Sequence, residues 1–78
     1  MDDNFVKLIK SKAQYFEIDK QDIDLRNLGL DSLGTVELLL DLEEYYNVVF
    51  PDDLLIIHEN ITANIIWSVI QDIKESER

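Results

Sequence analysis

Ser32 is the residue of this 78-residue chain whose setting most suggests chemistry, because it stands where an apolar helical run begins. Serine before such a run usually caps the helix, since its side-chain oxygen accepts a backbone N–H. The same position can also present the hydroxyl to a modifying enzyme, and the two uses are compatible. Local sequence alone favours the cap, so the case for modification has to come from the rest of the chain.

Catalysis by Ser32 itself is disfavoured. The hydrolase elbow Gly-x-Ser-x-Gly requires glycine two residues before the serine, where this chain has Leu30. A serine nucleophile also needs a base, and the only histidine is His58, in a segment without another visible role. A fold this small leaves little room for a substrate pocket. We therefore predict that the protein is not an enzyme.

Metal binding is disfavoured as well. The chain has no cysteine, and a lone histidine makes a poor zinc site. Asp19, Asp22 and Asp24 invite comparison with a calcium loop, but counting from Asp22 the fifth position is Arg26, which cannot coordinate calcium, and counting from Asp19 it is Ile23. We predict no metal site and interpret these aspartates as solvated loop residues.

The charge balance indicates the kind of partner. Lysine and arginine number 7 against 17 aspartates and glutamates, a net charge of -10. Such a field repels nucleic acid and anionic lipid and attracts proteins with basic patches. A hydrophobic fraction of 46% argues against disorder. We expect a protein partner, with no nucleic acid and no membrane.

Length and termini predict one small domain. We assign residues 1–78 to a single monomeric domain whose tail frays from about Lys74. The acidic start Met1–Asn4 does not resemble a secretory signal, and no apolar run is long enough to span a bilayer. The expected compartment is the cytoplasm.

Hydrophobic periodicity predicts an all-α bundle of three main helices plus a short one. The first helix follows Asp2 and Asp3, which suit a helix start, and the second runs from about Ser32 to Tyr46. A short helix is expected within residues 52–60, and the last helix begins with Thr62 as its cap. The low content of glycine and proline agrees with few long elements.

Residues 17–31 are interpreted as a long loop held to the core by its apolar side chains. Gly29 permits a turn near its end, and either Asp31 or Ser32 can cap the helix that follows. The apolar residues expected to attach the loop to the core are Ile18, Ile23, Leu25, Leu28 and Leu30.

The second helix carries apolar residues on two faces, whereas a plain surface helix is polar on one side. One face, which includes Leu38 and Leu42, is the natural core face, and we expect those two residues to be buried with Ile66, Val69 and Ile70 of the last helix. The opposite face mixes apolar and acidic residues. We name it the acidic face; it consists of Leu33, Val36, Glu37, Leu40, Asp41 and Glu44.

Two interpretations of the acidic face remain open. It could be buried under the 17–31 loop, but its carboxylates would then crowd a desolvated edge at a cost in free energy. A mixed apolar and acidic surface in solvent is better explained as a docking surface for a partner protein.

Taken together, these segments resemble the acyl carrier protein family, which includes the peptidyl carrier proteins. The resemblance rests on Leu28-Gly29-Leu30-Asp31-Ser32-Leu33, then Thr35-Val36-Glu37-Leu38, Leu42-Glu43-Glu44 and Phe50-Pro51-Asp52. It implies that Ser32, flanked by Asp31 and Leu33, carries a covalent 4'-phosphopantetheine transferred from coenzyme A by a phosphopantetheinyl transferase.

The resemblance also implies the function. The arm's terminal thiol would hold an acyl or aminoacyl group as a thioester, so the chain needs no cysteine of its own. The implied partners are a loading enzyme and a downstream synthase or acyltransferase. Their basic patches would dock weakly on the acidic face.

Two departures from the usual fatty-acid carrier pattern favour a specialised, natural-product biosynthetic pathway. Gly34 stands where fatty-acid carriers often have an acidic residue, and residues 54–60 are more apolar than in those carriers. The alternatives are the housekeeping carrier of fatty-acid synthesis and an acidic interaction module that is never modified.

Overall fold

A computed structural model describes residues 1–57 and 60–76, together with the side chains of these residues except Ile57. His58 therefore lies outside the described residues. The described part contains helices and no strand, which confirms the all-α prediction. The α-helices are α1 (Asp3–Lys12), α2 (Ser32–Tyr46), α3 (Leu54–Ile57) and α4 (Ala63–Ser76), and two 3₁₀ segments, Ile18–Lys20 and Leu25–Leu28, lie between α1 and α2.

The starts of α1 and α4 and both bounds of α2 agree with the sequence. Asp2 caps α1, its Oδ1 accepting the backbone N–H of Phe5 at 2.7 Å. Thr62 caps α4, its Oγ1 accepting the N–H of Ile65 at 3.1 Å. α2 ends at Asn47, whose φ of 55° is left-handed. α4 continues through Lys74 to Ser76, where fraying was expected.

The core lies among α1, α2 and α4. Phe5 and Ile9 of α1 meet the core face of α2, and the expected burial of Leu38, Leu42, Ile66 and Ile70 is confirmed. Val69 packs against this core but stays only half-buried, so the prediction for that residue is wrong. It stands one residue before Ile70 on α4, about 100° around the helix from the side chain that reaches the centre.

The connection between α1 and α2 is more regular than a loop, and it is attached to the core by only part of its apolar side chains. Leu25, Leu28 and Leu30 are buried, whereas Ile18 and Ile23 are exposed. The second 3₁₀ segment is fixed by the hydrogen bond from Leu25 N to the carbonyl of Ile61, at 2.8 Å. A 3₁₀ segment repeats every three residues, so only one narrow edge of it can face the core.

Aromatic rings of α1, α2 and α4 pack against one another. The Trp67 ring lies 4.9 Å from that of Phe5 and 6.1 Å from that of Tyr46, so it packs against α1 and α2. The Tyr46 hydroxyl donates to Asp2 Oδ1 at 2.8 Å. Partial burial and this hydrogen bond raise the pKa of Tyr46.

No helix in residues 1–57 and 60–76 is long and apolar enough to cross a membrane.

Candidate attachment site

Ser32 is the first residue of α2, and it is exposed. The cap of that helix is Asp31, whose Oδ1 accepts the N–H of Gly34 at 2.6 Å. The Asp31 carbonyl also accepts the N–H of Thr35 at 2.9 Å and its hydroxyl at 2.8 Å. Of the two caps that the sequence allowed, the structure uses the aspartate. The Ser32 hydroxyl is therefore not the group that caps α2.

Gly34 fits closely under this cap. A Cβ atom at position 34 would lie 2.8 Å from Asp31 Oδ1 and 3.3 Å from Leu30 Cδ1. Any other residue at this position would require the Asp31 side chain to move. The glycine that departs from the usual fatty-acid carrier pattern thus allows a short cap beside Ser32, which offsets part of the helix propensity that glycine loses.

A groove of about 430 Å³ opens beside Ser32. It is bounded by the second 3₁₀ segment, the first turns of α2, and α3, and its apolar wall comes from Val36, Leu55 and Ile61. Arg26 also lines it. Sequence analysis missed this groove because its walls come from segments that are far apart along the chain and carry no shared pattern.

Asp24 was expected to be a solvated loop residue, but it has a defined structural role. It caps the second 3₁₀ segment by accepting the N–H of Arg26 at 2.9 Å. Its carboxylate also binds the Arg26 guanidinium, with Nη2 2.6 Å from Oδ2. Hydrogen bonding to the guanidinium is the main cause that lowers the pKa of Asp24. The pair fixes one wall of the groove beside Ser32.

The acidic face lies in solvent. Leu33, Val36 and Leu40 are 69%, 52% and 58% exposed, which excludes the alternative that the 17–31 loop covers this side of α2. Glu37 and Glu44 are exposed too, whereas Asp41 is half-buried. The face therefore presents apolar side chains and carboxylates together, with Val36 shared between it and the groove.

One carboxylate of the acidic face already has a partner in the chain. Lys12, in the last turn of α1, places its Nζ 2.9 Å from Oε2 of Glu37. The hydrogen bond and the charge of Glu37 raise the pKa of Lys12. Sequence analysis did not foresee this pair, because the two residues are 25 positions apart and on different helices.

One family match and two relatives among known proteins agree with one another. The family described as "Phosphopantetheine attachment site" matches residues 6–63. The chain is 30% identical over 59 residues to an acyl carrier protein homolog of Ureaplasma parvum serovar 3, covering 76% of this chain and 77% of that protein. It is 40% identical over 58 residues to the acyl carrier protein of Treponema denticola, covering 68% of this chain and 74% of that protein.

Proposed function

Since this chain belongs to the acyl carrier protein family, and is thus a non-catalytic carrier with a covalently attached 4'-phosphopantetheine, we propose that Ser32 is the attachment residue. The arm would hold an acyl or aminoacyl group as a thioester. The observation that carries the assignment is the exposed hydroxyl at the first position of α2, where Asp31 already serves as the cap.

The residues around Ser32 fit such a group. Attachment would join Ser32 Oγ to the phosphorus next to the pantetheine arm as a phosphodiester. The pyrophosphate bond of coenzyme A breaks, adenosine 3',5'-bisphosphate leaves, and the hydroxyl proton is lost to solvent or a base of the transferase, so the reaction needs an accessible oxygen. The adjacent groove of about 430 Å³ offers an apolar wall along which the arm or its cargo can lie. Asp31 would orient the first turn, and the exposed Leu33 would contact the transferase.

Attachment is tested by intact mass. Incubation with coenzyme A and a broad-specificity phosphopantetheinyl transferase is expected to add the mass of one phosphopantetheine per chain, because one exposed serine stands in the attachment motif. The same mixture without transferase is the control and should leave the mass unchanged. A chain that folds but never gains the arm would support an unmodified acidic interaction module instead.

For the pathway, we propose a specialised biosynthetic route. Gly34 and the apolar α3 support it: Ile56 is 84% exposed and Leu55 lines the groove, so α3 offers a partner apolar rather than acidic contacts. The names of the relatives favour the housekeeping carrier of fatty-acid synthesis as the second candidate. Loading of the holo-protein by a fatty-acid-synthesis malonyl transferase, as efficiently as that enzyme's own carrier, would favour the second candidate.

The partners under this proposal are the transferase, an acyl- or aminoacyl-loading enzyme, and a synthase or acyltransferase. We propose that they dock through basic patches on the acidic face of a monomeric carrier. Because coenzyme A is supplied in the cytoplasm, we also place the protein there. Apolar contact from Leu40 and attraction from Glu44 suit brief, repeated encounters.

Reversing the charge of Glu44 should slow loading. Glu44→Lys changes the charge of the acidic face by two units. One unit of charge at about 6 Å from a basic group of the partner, in water, changes the loading rate roughly threefold, so we expect about tenfold slower loading at low salt. Stability should change by no more than about 0.5 kcal/mol, because Glu44 is exposed. The readout is kcat/KM for arm transfer across a salt series.

Asp72→Lys is the matched control, because it makes the same charge change at an exposed position of α4. The Glu44→Lys effect should shrink as salt rises, since the Debye length falls from about 30 Å at 0.01 M to about 8 Å at 0.15 M. Equal slowing by both variants would mean that overall charge, and not the acidic face, governs docking.

A further inference from the structure

Lys12 is placed where it affects the charge of the acidic face. Its Nζ contacts Glu37 at 2.9 Å, and its side chain is only 26% exposed. Glu37 is the main cause that raises the pKa of Lys12, and the charges of Asp41 and Asp31 add to it in the same direction. The amine is therefore a fixed positive charge among the carboxylates of α2.

This pair has a consequence for docking. The carboxylate of Glu37 is already paired with Lys12. A basic side chain of a partner must therefore displace Lys12 before it can bind Glu37. Glu44 stands seven residues further along α2, about 10.5 Å away at 1.5 Å per residue. That separation exceeds the Debye length of about 8 Å at physiological salt, so Lys12 weakens attraction at the Glu37 end and leaves the Glu44 end strongly acidic.

We propose that Lys12 is a specificity-determining residue of the acidic face, competing with partner cations for Glu37 and directing them to the Glu44 end. The proposal rests on the docking surface proposed above. It describes the partner as a protein whose basic residues lie opposite the C-terminal half of α2, with an apolar patch opposite the part of the face nearer Ser32.

Lys10 provides a control within the same helix turn. It also pairs with a carboxylate, Glu17, at 3.4 Å, but Glu17 lies in the connection after α1 and not on α2. Replacing either lysine with glutamine removes one positive charge and one exposed ion pair from the end of α1. Only Lys12→Gln changes the acidic face.

The experiment measures kcat/KM for arm transfer from coenzyme A by a broad-specificity transferase at 0.15 M salt, where the Debye length of about 8 Å keeps the effect of each lysine local. Lys12→Gln is expected to raise kcat/KM by up to about threefold, the unscreened factor for one unit charge at about 6 Å in water, whereas Lys10→Gln should leave it near the wild-type value. Lys12→Arg should restore the wild-type value, because the charge is kept. Circular dichroism checks that every variant remains helical.

A double-mutant cycle separates competition from simple charge. If Lys12 occupies the Glu37 carboxylate in the wild type, a partner can contact that carboxylate freely only in the Lys12→Gln background. Glu37→Gln should therefore reduce kcat/KM more in the Lys12→Gln background than in the wild type. Equal effects of Lys12→Gln and Lys10→Gln, or an equal Glu37→Gln penalty in both backgrounds, would overturn the proposal. If the wild type gains no arm at all, the attachment assignment fails instead, so the two failures are distinguishable.

Discussion

Replacing Ser32 with alanine is expected to abolish arm attachment while leaving the fold intact. The reason for the loss is chemical, because alanine has no oxygen to form the phosphodiester. The reason for the intact fold is structural, because Asp31 and not Ser32 caps α2, with Oδ1 2.6 Å from Gly34 N. The stability change should stay within about 0.5 kcal/mol, as for other exposed positions. Intact mass and urea unfolding measure the two parts separately.

Two variants serve as controls for this result. Ser11→Ala removes another exposed serine and should load as wild type does. Asp31→Ala removes the cap and should cost about 0.5–2 kcal/mol in unfolding free energy. If Ser32→Ala still gains the arm, attachment lies on another hydroxyl. If it destabilises the fold as much as Asp31→Ala, the serine shares the capping.

Leu42→Ala is expected to have the largest effect on stability, about 2–5 kcal/mol, because Leu42 is 0% exposed in the core between α1, α2 and α4. The free energy of unfolding is only roughly 0.05–0.15 kcal/mol per residue, so in a domain this small the loss is a large share of the total stability. Urea unfolding should show a lower midpoint with a similar slope.

Leu40→Ala is the matched comparison, with the same substitution on the same helix at a residue that is 58% exposed. It should change stability by no more than about 0.5 kcal/mol and should instead slow arm transfer, since it removes apolar area from the acidic face. If Leu40→Ala destabilises the fold as much as Leu42→Ala and leaves transfer unchanged, then the docking surface lies elsewhere.

Local sequence was sufficient to predict where α1 and α4 start and where α2 starts and ends. Asp2, Thr62 and Asn47 act through hydrogen bonds or backbone angles within a few residues of themselves, so their types and positions are enough. The two apolar stripes of α2 were equally readable, because a helix of known period places its side chains at known angles. The motif around Ser32 was also recognisable from the sequence, because its residues are contiguous.

The tertiary structure decided which of two locally equivalent groups takes each role. Sequence allowed either Asp31 or Ser32 as the cap, and the structure uses Asp31, whose side chain reaches Gly34. Sequence did not indicate the partners of Trp67, whose ring packs against Phe5 and Tyr46. These outcomes depend on the direction of each side chain and on which helix packs beside it. Sequence periodicity specifies neither.

The site shows the same division. Sequence by itself was enough to determine the fold class and to propose the serine and the acidic face, because each depends on consecutive residues or on the period of a helix. Only the tertiary structure brought Arg26, Leu55 and Ile61 to the groove beside Ser32, and Lys12 to Glu37. The physical reason is that helix packing brings distant segments within contact range, and the strength of a charge or an apolar contact depends on that distance.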